Sequence, residues 1–219
     1  MADHRDVEAG QAVYNPPTLA AYDWFVLGFS NRLLWRCPTR HLRALYARNV
    51  GAAHLDIGVG TGYFLDAARW PVAEPRITLL DLNRHSLDAA ARRIARHAPE
   101  TVSANCLEPL PVEGTYDSIA LCYLLHCLPG GIGDKAVVFD RAVPHLAEDG
   151  VIFGATILQG DAPRSLPARA LMNVYNNKGV FSNAGDTFQA LSEALERRFA
   201  DVALRRIGAV ALFEARRPH

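Results

Sequence analysis

Apolar positions along the 219-residue chain follow two spacings, and the switches between them outline its elements. Short, nearly continuous apolar runs read as strands: "AHLDIG" (53–58), "RITLLDL" (76–82), "TVSANCL" (101–107), "YDSIALCYLL" (116–125) and "GVIFGATIL" (150–158). Between them lie segments with helical spacing: Tyr63 to Arg69, "HSLDAAARRIARH" (85–97) and "DKAVVFDRAVPHL" (134–146). Strands that are apolar throughout and alternate with helices predict a parallel sheet covered on both faces.

The rhythm changes at both ends. Upstream, "YNPPTL" resists helix, because two prolines and the residue before them disfavour that backbone. An aromatic-rich stretch from Thr18 to Phe29 follows, and "TRHLRALYARN" (39–49) places Leu42, Leu45 and Tyr46 on one helical face. Downstream of Leu158, "ARALMNVYNN" and "TFQALSEALERRF" predict helices separated by the loop "KGVFSNAGD". "DVALRRIG" and "AVALFEARR" then predict a hairpin turning at Gly208, hence an antiparallel pair at the sheet edge. The expected organisation is a helical cap segment at 1–49 and a main domain at 50–219, with a cap insert near 159–185.

Composition narrows the class. The 23 basic and 23 acidic residues cancel, which argues against nucleic acid as partner. Cys37, Cys106, Cys122 and Cys127 form neither a CxxC pair nor a His/Cys cluster, so neither zinc nor a disulfide framework is expected. No apolar run approaches a membrane span and no signal core opens the chain; a cytoplasmic protein with free thiols is expected.

The candidate chemistry sits in "HLDIGVGTGYFLD" (54–66). Gly58, Gly60 and Gly62 let the backbone approach a ligand closely between a strand and a helix. A dinucleotide turn needs its third glycine three positions after the second, and here Gly62 comes one residue early. No Gly-Lys-Ser/Thr follows, so a phosphate-binding P-loop is excluded as well.

The Asp-x-Gly-x-Gly-x-Gly pattern at Asp56–Gly62 resembles the first motif of the class I S-adenosylmethionine-dependent methyltransferases. Asp81 ends the second strand 19 residues after Gly62, "ANCLEPLP" resembles the family's adenine-reading segment with Asn105 and Cys106 in place of aspartate and alanine, and "LAEDGVIFGATIL" resembles its fifth strand. The resemblance implies an α/β, Rossmann-like fold: a seven-stranded, mostly parallel sheet with an antiparallel C-terminal strand, helices on both faces and a helical N-terminal cap. It also implies S-adenosylmethionine as cofactor, held by Asp56, Gly58, Gly60, Thr61, Gly62, Asp81, Leu82, Asn83, Asn105, Cys106, Leu107 and Cys122. The segment "YDWFVLGFSNRLLWR" is faintly similar to the start of the quinone-biosynthesis methyltransferases and suggests a cap over that site.

Methyl transfer needs chiefly in-line positioning, so a catalytic side chain is optional. His126, after the fourth strand, is the candidate base. It is equally read as a packing or capping residue. Tyr14, Tyr22, Trp35, Tyr123, His126, Met172 and Tyr175 are candidate walls for a small, apolar or aromatic acceptor, and each alone is as readily read as core. "NPP" at 15–17 lies before the first strand, whereas amino-group methyltransferases carry that motif after the fourth, so it is set aside. Two other functions compete: a nicotinamide oxidoreductase, which lacks its glycine spacing and a Tyr-x-x-x-Lys pair here, and a non-catalytic interaction domain, which has no need of Asp56 and Asp81.

Overall fold

A computed structural model describes residues 30–162 and 165–219. Helix α1 (Arg40–Asn49) leads into strand β1 (Ala53–Ile57), the one-turn helix α2 (Tyr63–Asp66), β2 (Arg76–Asp81), α3 (Arg84–Arg93), β3 (Glu100–Ser103) and β4 (Tyr116–Cys122). Next come α4 (Ile132–Lys135), α5 (Val137–Ala142), β5 (Leu146–Ile157), α6 (Leu166–Asn177), α7 (Phe188–Glu196), β6 (Phe199–Ile207) and β7 (Val210–Pro218). The seven strands form one sheet in the order β3-β2-β1-β4-β5-β7-β6. β7 runs antiparallel to both β5 and β6, and the other pairings are parallel.

Alternation along the central strands sorts the core into two layers. Leu55, Ile57, Ile119, Leu121 and Ile152 face Phe139 of α5 and Leu191 and Leu195 of α7. Leu79, Ala120, Cys122, Val151 and Phe153 face Leu42, Leu45 and Tyr46 of α1, Leu87 and Ala90 of α3, and Met172 of α6. A strand buried on both faces has little room for polar residues. β1 carries two, His54 and Asp56, both on the α1 side and both almost without exposure.

Several elements are shorter than their apolar pattern predicts. The helix after the glycine turn stops at Asp66, and the third strand stops at Ser103, so Asn105 and Cys106 sit in the turn beyond it. The segment at 134–146 breaks into α4, α5 and a 3-10 turn at Val143–His145 that carries Pro144, which cannot donate within a helix. The hairpin turns at Gly208, whose φ of +58° suits glycine; a Cβ there would lie 2.2 Å from the Trp35 carbonyl oxygen.

Candidate active site

Strand order reverses between β1 and β4, and in an open α/β sheet ligands bind beyond the strand ends at such a point. A cleft opens there. It is lined by the segments after β1 (Asp56–Thr61), at the end of β2 (Leu80–Asn83), after β3 (Ala104–Cys106) and at the end of β4 (Cys122–Leu124). Tyr46, Tyr63, Phe64, Ser86, Cys127 and Leu128 complete its walls, and the empty space inside, with its open mouth, is about 1050 Å³.

Local chemistry explains how each wall is held. Gly58, Gly60 and Gly62 all have positive φ, which only glycine adopts cheaply. A Cβ on Gly58 would lie 2.8 Å from Leu124 Cδ1, and one on Gly62 would lie 2.9 Å from the Ala90 Cα of α3, whereas at Gly60 nothing is within 4 Å. Gly62 thus lets α3 approach, while Gly60 keeps backbone bare toward the cleft. Asn83 caps α3, its side chain accepting from the backbone N–H of His85 at 2.8 Å and of Ser86 at 3.3 Å. The Asn83 N–H donates to Asp81 Oδ1 at 2.8 Å. Burial pushes the Asp81 carboxyl up to about 6, opposed by backbone N–H donors from Asn83, Gly60 and Leu82 and aided by the charge on Asp56. The Leu107 N–H donates to Asn105 Oδ1 at 3.1 Å and fixes that side chain in its turn.

The charge pattern is one-sided. Among the described residues lining the cleft, Asp56 and Asp81 are the charged side chains, and none is Lys or Arg. A pyrophosphate brings negative charge and needs donors at a helix N-terminus. Here the glycine turn feeds a single helical turn of four residues with Asp66 in it. A cleft of this kind suits a ligand with sugar hydroxyls and positive charge, as the adenosyl sulfonium of S-adenosylmethionine has. The residues therefore fit that cofactor by their own chemistry: a carboxylate for ribose hydroxyls, bare backbone at Gly60, and a second carboxylate for an ammonium.

Of the residues expected at the cofactor, Asp56, Gly58, Gly60, Thr61, Asp81, Leu82, Asn83, Asn105, Cys106 and Cys122 come together in this cleft. Gly62 stands behind it against Ala90, and Leu107 stands behind Asn105. Of the residues expected at the acceptor, Tyr123 lines the cleft, its backbone in the left-handed region at φ +61° and its hydroxyl donating to Asn31 Oδ1 at 2.8 Å. His126, Trp35, Met172 and Tyr175 do not line it. His126 is buried, its ring 4.6 Å from that of Phe181 and its Nδ1 3.4 Å from Thr156 Oγ1, and burial together with the charge on Lys135 drives its imidazole down to about 3. Trp35 accepts the Ala209 N–H at 2.8 Å on its carbonyl and packs its ring on Phe181, which also packs on Tyr175; Met172 is fully buried. Tyr14 and Tyr22 lie outside the described residues.

Sequence reading did not place at the cleft Tyr46, whose hydroxyl reaches Asp56 from α1, nor Ser86, Cys127 and Leu128. Tyr46 had a signal only as an apolar-face residue of its helix. Its neighbour across the sheet is visible only in the fold.

The glycines make a separable prediction. Gly62→Ala meets the backbone of α3 and should cost about 2–4 kcal/mol of stability, since a left-handed non-glycine residue alone costs about 1–3 kcal/mol. Gly60→Ala points into open space and should cost about half as much stability while weakening cofactor binding. Thermal unfolding and ligand titration on the two variants check the difference.

Comparison with known proteins agrees with this geometry. A family model described as a methyltransferase domain matches residues 55–152. Demethylluteothin O-methyltransferase of Streptomyces thioluteus is 42% identical over 207 residues, covering 94% of this chain and 90% of its own. The physcion biosynthesis cluster O-methyltransferase of Aspergillus chevalieri is 39% identical over 214 residues, covering 96% of each. Among solved structures, the DhpI complex with SAH superposes with a TM-score of 0.70 over 99% of this chain and 98% of that one, at 16% identity, a likeness of fold. Among the described residues no helix is long and apolar enough to cross a membrane. By sequence and by fold, the chain belongs to the class I S-adenosylmethionine-dependent methyltransferases.

Proposed function

We propose that this chain methylates a hydroxyl oxygen on a small, flat aromatic acceptor seated at the mouth of the cleft. The observation that carries the reading is the cleft's division of labour. Its only charged side chains among the described residues are Asp56 and Asp81, and the wall beyond them is built from Tyr63, Phe64, Tyr123, Leu124 and Leu128. Few charges and many rings suit a planar apolar body with one polar handle. The two relatives named above carry O-methyltransferase names at about two-fifths identity over nearly the whole chain, which supports oxygen as the methylated atom.

In this reading Asp81 accepts the ribose hydroxyls and Leu82 packs on the adenine. Asn105, Cys106 and Leu107 frame the adenine edge. Asp56, Thr61, the bare backbone of Gly58–Gly62 and the Cys122 carbonyl hold the methionine end, and Asn83 steadies Asp81. When bound, the cofactor supplies a methyl carbon on a sulfonium, already a strong electrophile. The protein's contribution is then orientation and exclusion of water, and orientation is worth about 7–11 kcal/mol in favourable cases.

His126 is proposed as scaffold and not as base. An imidazole whose proton is lost near pH 3 is too weak to take one from a phenol, and it faces Thr156 and Phe181. His126→Gln should therefore lower kcat less than about tenfold, with its larger effect on thermal stability. A general base is worth about 10²–10⁴-fold. A loss of that size, with an acidic limb in the pH profile that vanishes in the variant, would restore His126 to catalysis.

The reading is tested by incubating the protein with S-adenosylmethionine carrying a labelled methyl group and a panel of phenols, aromatic amines and thiols. The expected product carries the label on a phenolic oxygen. Label appearing on nitrogen or sulfur alone would contradict it.

A further inference from the structure

Beneath the cleft lies a buried polar chain that the methyl-transfer reaction does not itself require. Alternation along β1 points His54 and Asp56 to the same face, toward α1. From α1 the Tyr46 hydroxyl donates to Asp56 Oδ2 at 2.8 Å. Burial and the Asp56 charge hold that phenol well above its ordinary range, so it keeps its proton and acts as donor. The Cys122 thiol also reaches the Tyr46 hydroxyl.

His54 completes the set from the other side. It is fully buried, and its Nε2 lies 3.5 Å from Asp56 Oδ2 with no hydrogen-bond partner in the described residues. Its Nδ1 is 2.7 Å from Ser118 Oγ, which accepts the Gly51 N–H at 2.8 Å. The serine hydroxyl can give its own proton to Nδ1, and the neutral form of His54 then carries its proton on Nε2. The opposite tautomer would set a bare nitrogen lone pair against the Asp56 carboxylate in a buried site, which is unfavourable.

We propose that Tyr46 and His54 are positioning residues for cofactor binding. Tyr46 fixes the Asp56 carboxylate by its hydrogen bond to Oδ2, and the His54 ring, with Nε2 3.5 Å from the same oxygen but without hydrogen-bond geometry, bounds it on the other side, so that Oδ1 is presented to the ammonium group at the methionine end of S-adenosylmethionine. Among the described residues Asp56 receives its one side-chain hydrogen bond from Tyr46, and that bond is charge-assisted, the stronger kind. Without them the carboxylate loses its fixed direction and the ammonium its acceptor. The proposal concerns the cofactor alone and does not depend on which acceptor is methylated.

Two ligands separate positioning from a merely structural role. S-adenosylhomocysteine carries the ammonium-bearing arm, and 5′-methylthioadenosine has the same adenosine without it. Tyr46→Phe keeps the ring stacked on Phe64 at 5.2 Å and edge-on to Phe153 at 5.1 Å, and removes only the hydroxyl. By calorimetry the variant should bind S-adenosylhomocysteine about tenfold more weakly, the order expected for losing one charge-assisted bond, and 5′-methylthioadenosine as tightly as the unaltered protein does. An equal loss for both ligands, or no loss for either, overturns the proposal. Should the variant fold poorly, the unaltered protein provides its own test. In ¹⁵N spectra of its imidazoles the neutral form of His54 should carry its proton on Nε2 and leave Nδ1 bare, and the reverse pattern overturns the assignment. Absence of S-adenosylhomocysteine binding by the unaltered protein would overturn the proposal together with the cofactor assignment, whereas failure of the phenol assay would leave it standing.

Discussion

Asp81→Ala should weaken binding of S-adenosylmethionine by about 30- to 700-fold. The variant removes a carboxylate that lines the cleft at the end of β2 and is held by the Asn83 N–H at 2.8 Å. Two ribose hydroxyls donating to one charged acceptor make bonds of about 1.5–3 kcal/mol each, and the two together give roughly 2–4 kcal/mol after the water that replaces them is counted. At about 1.4 kcal/mol per tenfold, that is the range stated. The effect belongs to affinity, because the alanine leaves the sheet and the Asn83 cap of α3 in place.

The same residue predicts a pH dependence. Burial raises the Asp81 carboxyl to about 6, above its value in the unfolded chain, so the folded state takes up a proton between about pH 4 and 6. Its contribution to folding is therefore greatest at low pH and is lost as pH rises through 6. Binding runs the other way. Ribose hydroxyls need the ionised carboxylate, so affinity should be flat above pH 7 and fall toward tenfold per pH unit below 6, with proton release on binding. Asp81→Asn should be weak throughout and nearly flat. A profile for the unaltered protein that stays flat down to pH 5 would show that Asp81 does not titrate in the site.

The largest loss of stability is expected at a place remote from the reacting atoms. Lys135 and Asp186 form an ion pair at 2.5 Å with side chains almost without exposure, and Lys135 Nζ also donates to the Ser182 carbonyl at 2.6 Å. Burial pulls Lys135 down and Asp186 up, each toward its neutral form, and the partner opposes that in both. Asp186 Oδ1 has no hydrogen-bond partner in the described residues. A pair like this contributes little over a well-packed apolar pair, yet removing one member strands the other charge at about 3–5 kcal/mol. Lys135→Met should accordingly lower the thermal midpoint by roughly 6–20 °C. Lys135→Met with Asp186→Leu should recover most of that loss. If the double variant is as unstable as the sum of the singles, the penalty does not come from a stranded charge.

That pair also backs the acceptor side of the cleft. The Ser182 N–H donates to the His126 carbonyl at 2.9 Å, so the 180–186 loop holds the 125–127 turn, which continues into the cleft wall at Cys127 and Leu128. Below its melting range, the Lys135→Met variant should show a raised KM for the acceptor before any change in cofactor affinity.

How much of this was legible in the sequence follows from what each residue needs. The glycine turn and Asp81 are read from local spacing, because a tight strand-to-helix connection and a strand-end carboxylate are specified within about 25 residues. The parallel sheet, the antiparallel β7 and the hairpin at Gly208 follow from alternation of elements and one short turn, whereas the strand order is visible only in the fold. Elements shorter than their apolar pattern were less legible, since Pro144 and the turn at Asn105 end regular structure within runs that remain apolar. The acceptor residues were the least legible. An aromatic that lines a cleft and one that packs a core have the same chemistry in one dimension, so Tyr123 and Trp35 looked alike until the fold placed one at the cleft and the other under the hairpin. His126 looked like a base from its position after β4 and was separated from the cleft by a single turn of backbone. Tyr46 escaped because its partner, Asp56, is brought to it only when α1 packs on β1.

The cleft takes an adenosyl sulfonium and not a pyrophosphate. Titration of the unaltered protein with S-adenosylhomocysteine and with NAD, each followed by calorimetry in the same buffer near pH 7.5, tests it most directly. One equivalent of S-adenosylhomocysteine should bind, S-adenosylmethionine should displace it, and NAD should give no saturable heat. Saturable binding of NAD with none for S-adenosylhomocysteine would contradict the account.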